Sequence, residues 1–142
     1  MTDLAGRVLA IDFGLARTGM AISDEERIIA IPVAVIKTKN IVFVCQQIAK
    51  FAATYQASLI LLGDPIRSDG SPGTLHEHIE RLAANLRQVT DVSIVLYNEA
   101  CSTWEATQRI SQLKHKKRKR RDLDALAAAV LLEDFMRSRR VE

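Results

Sequence analysis

The chain has 142 residues, 48% of them hydrophobic and 26% charged, which is long enough to bury a core without staples and too apolar for a disordered chain. Its longest apolar run, Ile28 to Ile36, is broken by Pro32 and falls short of the roughly 18 residues that span a bilayer, and the start MTDLAGRVLAIDFG is not built like a secretory signal. The formal net charge of +3 is uneven: seven of the 20 Lys and Arg lie between Lys114 and Arg121, leaving 13 against 17 Asp and Glu on a mildly acidic body, a pattern that suits one polyanion contact better than a uniformly basic surface.

Residues 7–13, RVLAIDF, form an apolar run ended by Gly14 and predict a buried strand. Thr18 to Ser23 resumes the pattern after a turn, so the two should form a hairpin. A second polar turn, Asp24 to Arg27, leads into IIAIPVAVI. Pro32 lacks a backbone donor, which assigns this third strand to a sheet edge. Asn40 can cap a helix in which Ile41, Val44, Ile48 and Phe51 recur at helical spacing, widened by Cys45, Ala49 and Ala52. SLILLG (58–63) is a short buried strand, and DPIRSDGSPG (64–73) a loop. Thr74 can cap a helix through Arg87 with Leu75, Ile79, Leu82 and Leu86 as its stripe. VSIVLY (92–97) is the fifth strand, followed by helices over 102–113 and 122–137 with the basic arm between them. Short turns make the first three strands antiparallel, and helical crossovers make the last two parallel. The expected fold is α/β: a mixed five-stranded sheet with helices on both faces, in one domain over 1–142.

Three acids stand out. Asp12 lies in the apolar first strand, where an unpaired carboxylate costs several kcal/mol; a structural reading pairs it with Arg17 or caps the turn at Gly14. Glu99 closes the fifth strand, at the sheet end where open α/β folds bind ligands; a structural reading makes it a first-turn acid for the next helix. Asp124 shares a helix face with Leu131, seven positions on, while Asp122 suits the N-cap. Together the three would offer hard oxygen ligands for Mg²⁺ or Mn²⁺, and a pair of such ions can drive phosphodiester displacement. His76 and His78 lack a paired nucleophile or zinc-ligand company and read as surface side chains. Cys45 and Cys101 have no metal-ligand spacing and read as reduced thiols of a cytoplasmic protein. Trp104 is the one residue considered for base stacking, with a core anchor as its plainer role.

In order along the chain, Leu9-Ala10-Ile11-Asp12-Phe13-Gly14, Arg17, Gly19, Gly63-x-Pro65, Asp69-Gly70-Ser71, Glu99 with Thr103, the basic stretch and Asp124-Ala125-Leu126-Ala127-Ala128 resemble the bacterial YqgF family of Holliday junction resolvase-like proteins and pre-16S rRNA nucleases. The resemblance implies a ribonuclease H-like fold and a metal-dependent endonuclease with Asp12, Glu99 and Asp124 as its metal-binding catalytic residues. It places Arg17 in a substrate-facing turn and brings the arm, Lys114, Lys116, Lys117, Arg118, Lys119, Arg120 and Arg121, beside the metal site. Its implied partners are precursor 16S rRNA or branched DNA, with ribosomal precursor particles behind the former, and the chain as monomer or homodimer. Two departures bear on activity. The family's usual Asp-Glu-Arg reads Asn98-Glu99-Ala100, and its Gly-Leu-Pro reads Gly63-Asp64-Pro65. They leave room for a catalytically weakened nucleic-acid-binding protein.

Overall fold

The structure is a computed structural model that describes residues 6–65, 69–98 and 120–141. Within them run β1 (Arg7–Asp12), β2 (Arg17–Ser23), β3 (Ala30–Lys37), α1 (Ile41–Thr54), β4 (Ala57–Asp64), α2 (His76–Val89), β5 (Ser93–Asn98) and α3 (Arg120–Val141). The helix expected over 102–113, Glu99, Cys101, Trp104 and the arm up to Lys119 lie outside the described residues.

The five strands form one sheet in the order β3-β2-β1-β4-β5. β1 pairs antiparallel with β2 and β2 with β3, whereas β4 runs parallel to both β1 and β5. Pro32 sits on β3, the edge strand, as its missing donor requires. β1 is central, and Val8, Leu9, Ala10 and Ile11 are fully buried.

Alternation along each strand sorts residues between two cores. Leu9 and Ile11 of β1 with Ile60 and Leu62 of β4 pack with Val44 and Ile48 of α1 and Ile79, Leu82 and Leu86 of α2. Val8 and Ala10 with Leu59 and Leu61 pack on the other face with Ala128, Leu131, Leu132 and Phe135 of α3. On that second face Tyr97 of β5 meets Phe135 edge-on, with ring centroids 5.5 Å apart, and its hydroxyl donates to Asp134 Oδ2 at 2.7 Å. The same parity continues past the end of β1. Phe13 packs with the α1–α2 core, so Asp12, one residue earlier, belongs to the α3 side.

The helix starts hold one expectation and correct two. Asn40 Oδ1 accepts from Val42 N at 3.0 Å and Phe43 N at 3.3 Å, capping α1. α2 instead begins at His76, with Leu75 at the N-cap position and no side-chain cap; Thr74 stands one residue too early. α3 begins at Arg120, two residues before the expected start. Arg120 and Arg121 are therefore helical rather than linker, and Asp122 falls inside the first turn instead of capping it.

Candidate active site

β1, β4 and β5 end at the same edge of the sheet, and the antiparallel β2 begins there. Asp12 is the last residue of β1 and pairs across the ladder with Gly19 of β2. A Cβ on Gly19 would collide with the main-chain oxygen of Asp124 and stand 3.1 Å from Ala125 N. The backbone of α3 therefore rests directly on β2 beside Asp12, an approach that only a residue without a side chain permits. That contact is what carries Asp124 to the sheet edge.

Asp12 and Asp124 are close enough to feel one another. Burial first, and then the charge of Asp124, push the Asp12 carboxyl up from 3.8 to about 6. Asp124 has a counter-charge of its own, because Arg17 Nε donates to its Oδ2 at 2.6 Å, with both side chains about a quarter exposed. Arg17 thus stands beside Asp124, which is its partner instead of Asp12. The pairing joins the first residue of β2 to α3 and is a tertiary contact that spacing along the chain does not reveal.

The donor chemistry of this pair is that of carboxylate oxygen beside carboxylate oxygen, without thiolate or imidazole. Such a set suits a hard dication, which would offset both the burial and the mutual repulsion that raise Asp12. Among the described residues no group of three or more His, Cys, Asp or Glu is placed to hold a metal. Two of the three expected ligands are brought together, and the third, Glu99, lies outside the described residues.

A second polar pair, absent from the expectations, lies on the opposite face of the same edge. Asp64 ends β4 and is 3% exposed. Its Oδ2 and Oδ1 stand 2.9 and 3.1 Å from Nδ1 of His76, whose Nε2 is 3.0 Å from Glu80 Oε1. Carboxylates on both ring nitrogens favour the imidazolium. The His76 pKa is accordingly raised, chiefly through the Asp64 hydrogen bond. Asp64 is therefore a buried, paired carboxylate and not a loop charge, and His76 is half-buried and engaged. His78 is also half-buried, with an Nδ1 that has no hydrogen-bond partner among the described residues. Neither histidine is the free surface side chain expected. The one available signal was an acid closing an apolar strand, SLILLGD, with a histidine opening the next helix.

Three antiparallel strands, two parallel additions through helices, and acids from β1 and the last helix meeting at one sheet edge define the ribonuclease H-like class of fold. Solved structures agree. The chain is similar to a Thermus thermophilus RuvC bound to a Holliday junction substrate, with a TM-score of 0.62 at 12% identity, covering 95% of this chain and 96% of that one. It is also similar to the yeast mitochondrial Holliday junction resolvase Ydc2, with a TM-score of 0.60 at 14% identity, covering 93% and 78%.

Residues 6–138 match the RuvX family, described as Holliday junction resolvase, and the chain belongs to that family. Two relatives bearing the name "Putative pre-16S rRNA nuclease" show the range of likeness. The one from Protochlamydia amoebophila is 32% identical over 142 residues, covering 94% of each chain, and the one from Mycoplasma mobile is 33% identical over 132 residues, covering 92% of this chain and 91% of the relative.

Proposed function

We propose that this chain is a metal-dependent endonuclease that matures the 5′ end of precursor 16S rRNA. The observation that carries the reading is the meeting of Asp12 and Asp124, from the two ends of the sequence, at the carboxyl edge of β1, where burial and Asp124 already raise the Asp12 carboxyl. The relatives' shared name supplies the substrate class.

Asp12 and Asp124, with Glu99, would hold Mg²⁺ or Mn²⁺, two ions in the full site. When bound, such ions activate water and stabilise the leaving oxygen of a phosphodiester. Val95 and Tyr97 of β5 pack on the α3 side, where Asp12 and Asp124 meet, and Glu99 is included as the acid that follows β5 in the sequence. Arg17 holds Asp124 through Nε alone, and its other guanidinium N–H groups are suited to a phosphate oxygen. Lys114, Lys116, Lys117, Arg118, Lys119, Arg120 and Arg121 contact phosphates flanking the cut. The protein works in the cytoplasm on precursor ribosomal particles; among the described residues no helix is long and apolar enough to cross a membrane.

A labelled 5′ precursor fragment incubated with protein and Mg²⁺ or Mn²⁺ tests the reading. The wild type cuts it, and Asp12→Asn and Asp124→Asn lose at least a hundredfold in rate. Equal cleavage by Asp12→Asn and wild type would falsify it. The family description and its junction-bound structural neighbour favour one second reading, a resolvase-type DNA endonuclease acting as a homodimer. Preferential cutting of four-way DNA junctions by a dimer would select it.

A further inference from the structure

On the α1–α2 side of the same edge lies a cavity of about 310 Å³, lined by Phe13, Leu15, Thr38, Lys39, Ile41, Val44, His78 and Arg81. We infer that it receives one unpaired nucleotide of the RNA strand, next to the phosphate that cations bound at Asp12 and Asp124 would hold. The inference rests on the nuclease reading and deepens it.

Three observations point to this occupant. First, the lining joins two chemistries. Phe13, Leu15, Ile41 and Val44 give it an apolar floor, while Lys39, Arg81 and His78 supply nitrogen groups, and among the described residues no carboxylate lines it. A base and a phosphate together need both kinds of wall, whereas a phosphate alone has no use for the floor. Leu15 is 55% exposed, a large apolar side chain left facing solvent at a polar edge. The volume is at the small end of the roughly 300–1,000 Å³ of ligand pockets, which fits a single nucleotide.

Second, the electrostatics favour an anion. α1 and α2 both begin at this edge, since each follows a strand that ends there, and helix starts carry partial positive charge. Asp64, buried on this face of the edge, has its oxygens on His76 and is not free to repel a phosphate, and Glu77 and Glu80 of α2 are not among the lining residues.

Third, the cavity begins one residue from the catalytic pair, since Phe13, which lines it, follows Asp12 in the chain. Asp12 and Phe13 are consecutive residues whose side chains serve opposite faces of the sheet. A strand bound at Asp12 that crosses the edge would bring its neighbouring nucleotide to Phe13 and Leu15. A base can enter a cavity only when it is out of a stack, so the occupant is unpaired. Phe13 supplies the aromatic ring of the lining, and Lys39 and Arg81 supply its cations for the adjoining phosphate.

The test uses the full-length protein in EDTA, so that binding is read without cleavage. The probe is a short single-stranded RNA carrying one 5-iodouridine; its blunt duplex serves as control. Wild type binds the single strand, and irradiation crosslinks the iodouridine to Phe13 or His78. Lys39→Glu with Arg81→Glu, both exposed positions, weakens single-strand binding about tenfold or more and removes the crosslink, while duplex affinity changes less than threefold. Phe13→Leu, which keeps the apolar floor, removes the crosslink at Phe13 and weakens binding several-fold. Melting curves confirm that each variant is folded. If wild type binds and cuts RNA but the charge-reversed protein binds the single strand equally well, the cavity has another occupant and only this inference is overturned. An equal loss for strand and duplex also overturns it, because the residues then act as general phosphate contacts. No RNA binding by wild type in any form overturns both this inference and the nuclease reading.

Discussion

A carboxyl raised to about 6 is ionised at neutral pH only at a cost to folding, and Asp12 is such a group. In the unfolded chain it titrates near 3.8, so between these values the native state holds the extra proton and stability falls as pH rises. Above pH 6 the full penalty applies, at most about 3 kcal/mol for a shift of this size. Asp12→Asn should therefore stabilise the metal-free protein in urea denaturation at pH 7 by about 1–3 kcal/mol, with the gain disappearing toward pH 4, while abolishing cleavage. A destabilised Asp12→Asn at pH 7 would show that the carboxylate serves the fold. His76 shifts stability with pH in the same direction, through the loss of a favourable pairing instead of the onset of a penalty. Its raised pKa means that its pairing with Asp64 contributes fully below pH 6.5, its unfolded value, and is lost as pH rises through the higher folded value. Asp64→Asn should lower stability most at pH 6, with the gap to wild type narrowing on the alkaline side. A gap independent of pH would remove the imidazolium from this account.

At the scale of elements, the decisive contact is α3 on β2. Gly19 leaves no room for a Cβ beneath the Asp124 carbonyl, so Gly19→Ala must lift the helix or bend the strand. The expected cost is about 1–3 kcal/mol of stability, together with a cleavage rate reduced tenfold or more because Asp124 moves from Asp12. A Gly19→Ala protein with lowered melting temperature but unchanged kcat would separate the packing from the site. Much of the element order was legible because local signals agreed: alternation for β1 and β2, Pro32 for the edge, helical stripes for α1 and α2. Asp12 and Asp124 were legible for a related reason, each being an acid among apolar neighbours. The Arg17–Asp124 pair was not, because it depends on how far α3 slides along β2. Asp64 was misread because Pro65 and the glycines after it signal a loop, although the strand runs on through Asp64. The cavity at Phe13 leaves no mark in the sequence, since Phe13 reads as a core residue of the first strand.

The whole molecule combines an acidic body with one basic segment, and the two should separate in a salt titration. If Lys116, Lys117, Arg118 and Lys119 each neutralise a phosphate, replacing all four with Ala lowers the slope of log K against log salt by about 3 on single-stranded RNA. An unchanged slope would take the arm off the substrate. In the proposed reading the arm and the edge cavity would only position a strand, and hydrolysis would depend on the acids. Calorimetric titration of Mn²⁺ into the wild type and into Asp12→Asn, Asp124→Asn and Glu99→Gln measures that dependence without any nucleic acid. A shared carboxylate site predicts saturable Mn²⁺ binding by the wild type, weakened at least tenfold in each of the three variants. Binding of equal strength in all four proteins, or none in the wild type, would contradict it.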